Sequence, residues 1–159
     1  MGREIKVGIS EYKVSQAPDR LITLGLGSCV GIAIYNQETK IGGLSHIMLP
    51  DSTLFKGKKK PGKFADLAIP LMVEEIKGSS KIKDLRAKIA GGASMFSFSN
   101  NSTLSIGERN VKSVVEILKK MEIPLIGQDT GGTTGRTMIV NLDDFCISIR
   151  TGNKEIMTL

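Results

Sequence analysis

Two short apolar runs separated by a polar turn constrain the fold of this chain more than any other feature. The runs cover residues 30–35 and 41–48, and residues 36–40 between them (NQETK) have the composition of a turn. This spacing predicts an antiparallel β-hairpin. Because every side chain in the first run is apolar or small apart from its closing tyrosine, we expect a central strand covered on both faces.

Two amphipathic patterns predict helices. Helical spacing over 65–76 indicates a first helix, which Pro70 is expected to kink or restart. Ser105 and Glu108 match a capping box, in which the serine side chain and the glutamate bond the free N–H groups of the first helical turn. A second helix is therefore predicted over 106–121, with its apolar stripe in the core.

The other patterns are strand-like, and together they predict one α/β domain spanning residues 1–159. A mostly antiparallel or mixed sheet with helices on its faces accounts for them. We predict strands at 4–14 (as one strand or two short ones), 21–24, 87–90, 124–127, 137–141 and 145–150, and a polar loop at 97–102.

Composition excludes several functional classes. No apolar run approaches the roughly 18–20 residues of a membrane span, and the N-terminus lacks a signal-peptide pattern, so we expect a cytoplasmic protein with no membrane insertion. The two cysteines, Cys29 and Cys146, show no CxxC spacing and are expected to be free thiols. With a single histidine they cannot build an all-Cys/His zinc site without a carboxylate, so no metal and no cofactor are expected.

The net charge of +6 is concentrated in one lysine-rich cluster, residues 56–63 (KGKKKPGK). Such a cluster can steer an acidic partner or a nucleic acid. Aromatic residues make up only 4% of the chain and tryptophan is absent, which argues against a base-stacking surface. We therefore interpret the cluster as a solvated loop and expect no nucleic-acid partner.

His46 is the only histidine, so any chemistry that needs an imidazole must use it. A hairpin turn centred on residues 37–38 would place Cys29 directly opposite His46, because opposed positions in an antiparallel pair have a constant sum. Opposed side chains point to the same face with Cβ atoms about 4.5–5.5 Å apart. A slip of one residue would turn His46 to the other face, so the pairing depends on the register.

A thiol beside an imidazole is the arrangement of a cysteine nucleophile. The imidazole accepts the thiol proton, the thiolate attacks a carbonyl carbon, and the imidazolium protonates the leaving group. Backbone N–H groups around Gly27 and Ser28 are candidates for stabilising the oxyanion. Thr23, just before the glycine turn, is the candidate for orienting the imidazole.

The plainer interpretation of these residues stays open at this point. Buried cysteines are common core residues, and a lone histidine is more often structural than catalytic. Cys146 lies in an alternating strand and is expected to be core. The glycine-rich stretches 91–94 and 129–132 match no phosphate-binding motif and are interpreted as turns.

Six segments in order resemble the CheD family of chemoreceptor glutamine deamidases, and the likeness extends over about residues 7–150. They are ITLGLGSCVGIAIY, KIGGLSHIMLPDS, KPGKFADLAIPLMVEE, KIAGGASMF, IGERN and DTGGTTGR. The resemblance implies an α/β/α sandwich and a Cys-His-Thr triad, with Cys29 as nucleophile, His46 as general base and acid, and Thr23 as the orienting hydroxyl. The implied reaction converts glutamines of methyl-accepting chemotaxis receptors to glutamates, and some family members bind the CheC phosphatase.

Three alternatives remain. An amine in place of water would make the reaction a transglutamination. The chain could instead act as a non-catalytic partner that regulates a chemotaxis phosphatase, with the basic cluster 56–63 docking on an acidic surface. The third alternative is a catalytically silent fold with a core cysteine.

Overall fold

The computed structural model describes residues 2–81, 84–94, 104–152 and 156–159. Within these ranges the chain forms ten strands and two α-helices. The helices are α1 (Ala65–Lys77) and α2 (Ile106–Lys120). The strands are β1 (Glu4–Lys6), β2 (Tyr12–Gln16), β3 (Arg20–Leu26), β4 (Val30–Asn36), β5 (Ile41–Ile47), β6 (Leu85–Gly91), β7 (Leu125–Thr130), β8 (Arg136–Asn141), β9 (Ile147–Thr151) and β10 (Ile156–Thr158).

The strands form two five-stranded sheets. The first sheet has the order β1-β3-β8-β9-β10 and the second the order β2-β5-β4-β6-β7. One pair in each sheet is parallel, β1 with β3 and β6 with β7, and the other pairs are antiparallel. The prediction of an α/β fold with mixed, mostly antiparallel strands is confirmed.

Two hydrophobic clusters define the layers. One lies between the second sheet and the helices and contains residues of both α1 and α2, such as Met72 and Leu118. The other lies between the two sheets and includes Leu21, Leu44 and Met138. The α/β/α order that the resemblance implies is therefore not confirmed: both described helices pack with the second sheet, and its other face packs against the first sheet. The strand patterns explain this, since β4 is buried on both faces, whereas β8 alternates and buries only one.

The predicted hairpin forms between β4 and β5, but its predicted register is wrong by two residues. Gly31, not Cys29, stands opposite His46. The centre of the turn lies one residue later than predicted: Asn36 Oδ1 accepts the N–H groups of Glu38 and Thr39, and Lys40 takes a positive φ of 58° before β5 begins. An even shift preserves the face, so His46 still points to the side on which Cys29 was expected.

Most predicted elements are present with altered ends. Helix α2 begins after Ser105, whose Oγ accepts the Glu108 N–H as the capping box predicts. Helix α1 continues through Pro70 without the predicted restart. Strands β3 and β7 extend beyond their predicted ends. The sequence patterns missed β10, a three-residue strand with every residue exposed. The predicted loop at 97–102 lies outside the described residues. No helix in the described ranges is long and apolar enough to cross a membrane.

Candidate active site

A buried hydrogen bond between Thr23 and His46 joins the two sheets. Thr23 is on β3 of the first sheet and His46 on β5 of the second, and they are 1% and 0% exposed. The distance from Thr23 Oγ1 to His46 Nδ1 is 2.7 Å. The backbone of His46 is also fixed, because its N–H donates to Glu11 O and its carbonyl accepts the Ser10 N–H. The structure therefore brings together the two residues predicted as base and orienting hydroxyl.

The surroundings of Thr23 determine which imidazole nitrogen carries the proton. Thr23 Oγ1 lies 2.7 Å from the carbonyl oxygen of Val7, which can only accept, so the hydroxyl proton is directed there. The Thr23 oxygen must then accept the hydrogen bond between the two side chains, so the imidazole proton is on Nδ1 and Nδ1–H is the donor. Nε2 is left with a free lone pair, and it is buried without a hydrogen-bond partner among the described residues. This is the tautomer that a general base requires.

Cys29 lies in the short connection between β3 and β4, and it is half-buried. Its side chain packs against the apolar cluster between the sheets, the layer in which Thr23 and His46 meet. Cys29 itself lies outside β4, which begins at Val30, and no hydrogen bond joins its Sγ to His46 Nε2 in the described part of the chain. The structure therefore brings Thr23 and His46 together but does not place the thiol in contact with the imidazole. A Cβ on Gly31 would lie 2.6 Å from Met138 Sδ, so glycine is needed there for the sheets to approach.

The carbonyl groups of the Cys29 connection accept hydrogen bonds from two other segments, residues 92–93 and helix α2. Gly27 O accepts the Ala93 N–H and Cys29 O accepts the Gly92 N–H, both at 2.8 Å. Ser28 O accepts from Asn110 Nδ2 at 2.9 Å. The glycine-rich stretch 91–94 is thus a support for this connection. Gly91 has a φ of 112°, and a Cβ there would lie 2.3 Å from Cys29 O.

The predicted oxyanion donors differ in availability. The N–H of Gly27 already donates to Gly25 O at 3.0 Å, so it is not a free donor in this structure. The N–H groups of Ser28 and Cys29 have no hydrogen-bond partner on any other described residue. Of the two predicted donors, Ser28 thus keeps an N–H without a partner on another described residue and Gly27 does not, and the neighbouring Cys29 N–H is a further candidate.

Burial sets the protonation states of both candidate catalytic groups. It lowers the pKa of His46 to about 4, because desolvation disfavours the imidazolium. It raises the pKa of the Cys29 thiol for the corresponding reason, with a smaller opposing effect of the residue's own backbone N–H. Near neutral pH both groups are therefore uncharged, one as a thiol and the other as an imidazole.

Sequence reasoning missed two buried polar residues beside this site. Asn110 is fully buried on α2, four and eight positions before the core residues Val114 and Leu118. A polar residue in register with an apolar stripe is the signal that would have identified it. Arg136 pairs with Asp129 at 3.2 Å and donates to the carbonyls of Gly91 and Gly131.

No cluster of three potential metal ligands occurs among the residues the structure describes.

We expect the protein to lose stability on acidification in a window set by His46. Its pKa is near 6.5 in the unfolded chain and about 4 in the folded one, so between these values the unfolded state binds more protons. The free energy of unfolding should fall as pH decreases from 6.5 to 4, by about 3 kcal/mol in total. Urea titrations at several pH values measure this.

The control for that titration is His46→Asn, whose amide can still donate to Thr23 but does not titrate. Subtracting its pH dependence removes the contribution of carboxylates, and His46 is the only histidine. Equal pH dependence of the two proteins between 6.5 and 4 would contradict the assignment of the window to His46.

The geometry contains the groups that a thiol-dependent hydrolase uses: an oriented histidine, a cysteine in the same layer and backbone N–H groups without partners on other described residues. Comparisons identify the family. The family model described as "CheD chemotactic sensory transduction" matches residues 48–151. Proteins named "Probable chemoreceptor glutamine deamidase CheD" are 54% identical in Clostridium acetobutylicum (over 94% of this chain and 91% of the relative) and 52% identical in Clostridium kluyveri (97% and 98%).

This chain belongs to the CheD family. The match extends over almost the full length of both relatives. The prediction of the family from the six sequence segments is therefore confirmed.

Proposed function

We propose that this chain hydrolyses the side-chain amides of selected glutamines on methyl-accepting chemotaxis receptors, producing glutamates and supporting chemotactic adaptation. Its relatives bear the name of that activity. The observation that carries the proposal is the Thr23–His46 hydrogen bond, which leaves Nε2 as a free base in the layer that Cys29 enters. The receptor's cytoplasmic region is the substrate, which places the protein in the cytoplasm.

The first half of the reaction forms a thioester. His46 Nε2 takes the thiol proton while Cys29 Sγ bonds to Cδ of the glutamine, and the amide oxygen becomes an oxyanion facing the N–H groups of Ser28 and Cys29. The intermediate then collapses by breaking the Cδ–N bond. His46 returns its proton to the leaving nitrogen, and ammonia departs.

The second half regenerates the enzyme. His46 takes a proton from water, and the hydroxide attacks the thioester carbon to give a second tetrahedral intermediate at the same backbone donors. Its collapse breaks the Sγ–Cδ bond, leaving glutamate on the receptor, and the proton held by His46 returns to the thiolate. Thr23 takes no proton in either half. It holds the Nδ1–H, so that Nε2 remains the basic nitrogen.

The test is to incubate the protein with a cognate receptor cytoplasmic fragment and to follow Gln→Glu conversion and ammonia release by mass spectrometry and a coupled assay. We expect conversion at specific glutamines that increases with enzyme concentration. A tagged primary amine added to the same reaction separates hydrolysis from transglutamination, since only the latter labels the receptor. Conversion no faster than in the fragment alone would contradict the proposal.

A regulatory partnership with a CheC phosphatase is a second candidate. The basic cluster 56–63 favours it: Lys56, Lys58 and Lys60 are exposed, and the cluster connects to the strand of His46 through the bond from Met48 N–H to Lys63 O. A pull-down of CheC with the Cys29→Ala variant separates binding from catalysis. Binding that persists without deamidation supports this role.

A further inference from the structure

Asn110 lies where three segments of the candidate site meet. Its Nδ2 donates to Ser28 O and to Met48 O, both at 2.9 Å. One acceptor belongs to the connection that carries Cys29, and the other follows the strand that carries His46. The side chain is fully buried, and it comes from α2, which contributes no predicted catalytic group. The amide therefore joins the two halves of the site from a third element.

The orientation of this amide is fixed by its neighbours. Both neighbouring atoms are carbonyl oxygens, which only accept, so the NH2 group must face them and both of its hydrogens are used. Turning the amide over would place Oδ1 against two carbonyl oxygens. Helix α2 approaches residue 93 closely in the same region. A Cβ on Gly107 would lie 2.4 Å from Ala93 O, so the approach requires glycine at this position. The position of Asn110 is thus set on both sides.

Holding the Ser28 carbonyl has a consequence on the opposite side of the same peptide. A trans peptide unit is planar, and its C=O and N–H point in opposite directions. The N–H opposite Ser28 O is that of Cys29, which has no partner on another described residue. Fixing the carbonyl therefore fixes the direction of the free N–H, and a hydrogen bond to the carbonyl also strengthens the N–H as a donor.

We propose that Asn110 is a positioning residue that aims the backbone N–H of Cys29 at the oxyanion, through the planar Ser28–Cys29 peptide. The inference rests on the proposed deamidation. Asn110 touches neither the substrate nor the reacting atoms. Asn110 therefore affects only the steps in which an oxyanion forms. Nucleophilic substitution by the Cys29 thiol at a saturated carbon forms no oxyanion and should not depend on Asn110.

The test compares two reactions of Cys29 in a Cys146→Ala background, where it is the only thiol. Asn110→Asp keeps the shape of the side chain but removes both N–H donors. We expect kcat for receptor deamidation to fall about 10- to 100-fold, less than the 10²–10³-fold cost of removing an oxyanion donor entirely. KM and the rate of Cys29 alkylation by iodoacetamide, which forms no oxyanion, should stay within about threefold of the parent.

Ser113→Ala is the matched control. Ser113 lies one turn further along α2 and donates to Pro50 O at 3.0 Å, with no hydrogen bond to the Cys29 connection. The kcat of the Ser113→Ala variant should therefore remain near that of the parent. Asn110→Ala serves as a second variant if the aspartate disturbs folding. The inference is overturned by a kcat equal to the parent, by an equal fall in deamidation and alkylation, or by failure of both variants to fold where Ser113→Ala folds. A parent protein that alkylates but does not deamidate contradicts the proposed function instead.

Discussion

Cys29→Ala is expected to lose receptor deamidation almost completely, with a fall in kcat on the order of 10⁴-fold or more. Without the thiol there is no atom to form the thioester, and the amide would have to be attacked directly by water. The backbone donors and the histidine remain, so residual activity above the uncatalysed rate is consistent with the mechanism. Mass spectrometry of the receptor fragment measures the rate.

Cys146→Ala is the matched control for this variant, since it removes the other half-buried thiol of the chain. Its N–H donates to Asp144 Oδ1 in the turn before β9, and β8 separates β9 from the strand that carries Thr23. We expect it to keep the activity of the wild type. Deamidation that persists in Cys29→Ala at the wild-type rate would refute the covalent mechanism.

His46→Asn is the second variant with a large expected effect. Asparagine can replace the Nδ1–H donor to Thr23, but it has no counterpart of the basic Nε2. Loss of the general base and acid should lower kcat by about 10³-fold or more, because the same group serves both halves of the reaction. Measuring kcat and KM separately checks that receptor binding is retained.

Thr23 provides a graded control for the histidine. Thr23→Ser keeps the hydroxyl that accepts the imidazole Nδ1–H, whereas Thr23→Val keeps the shape of the side chain and removes that acceptor. The serine variant should remain close to wild type and the valine variant should lose about 10- to 100-fold in kcat. Equal activity of the serine and valine variants would exclude an orienting role for the hydroxyl.

The face of β5 on which His46 lies was predictable, but the register of the hairpin was not. Alternation along a strand has a period of two, so an error of two residues leaves the face of His46 unchanged, and that face meets Thr23 of the other sheet. The sequence of residues 36–40 indicates a turn without indicating its centre. The centre depends on how the side chain of Asn36 bonds the N–H groups that follow it, which composition alone does not determine.

Contacts between sheets were beyond the reach of sequence patterns. Thr23 was selected for its place before a glycine turn, yet its partner lies on the other sheet, and local patterns do not determine how two sheets are superposed. Asn110 illustrates the same limit: the capping box located its helix correctly, and the partners of its amide lie 62 and 82 residues away in the chain. The family resemblance suggested the proposed triad, whereas the hydrogen bonds around Cys29 became visible only in the folded structure.

The Thr23–His46 bond also bears on the order in which the two sheets can be completed during synthesis. Its histidine end belongs to a hairpin that needs only residues 30–47. Its threonine end lies on β3, which pairs with β1 before it and with β8 near the C-terminal side of the sequence. The strands on both sides of Thr23 are therefore present only after residues 136–141 have been synthesised, long after the hairpin that carries His46.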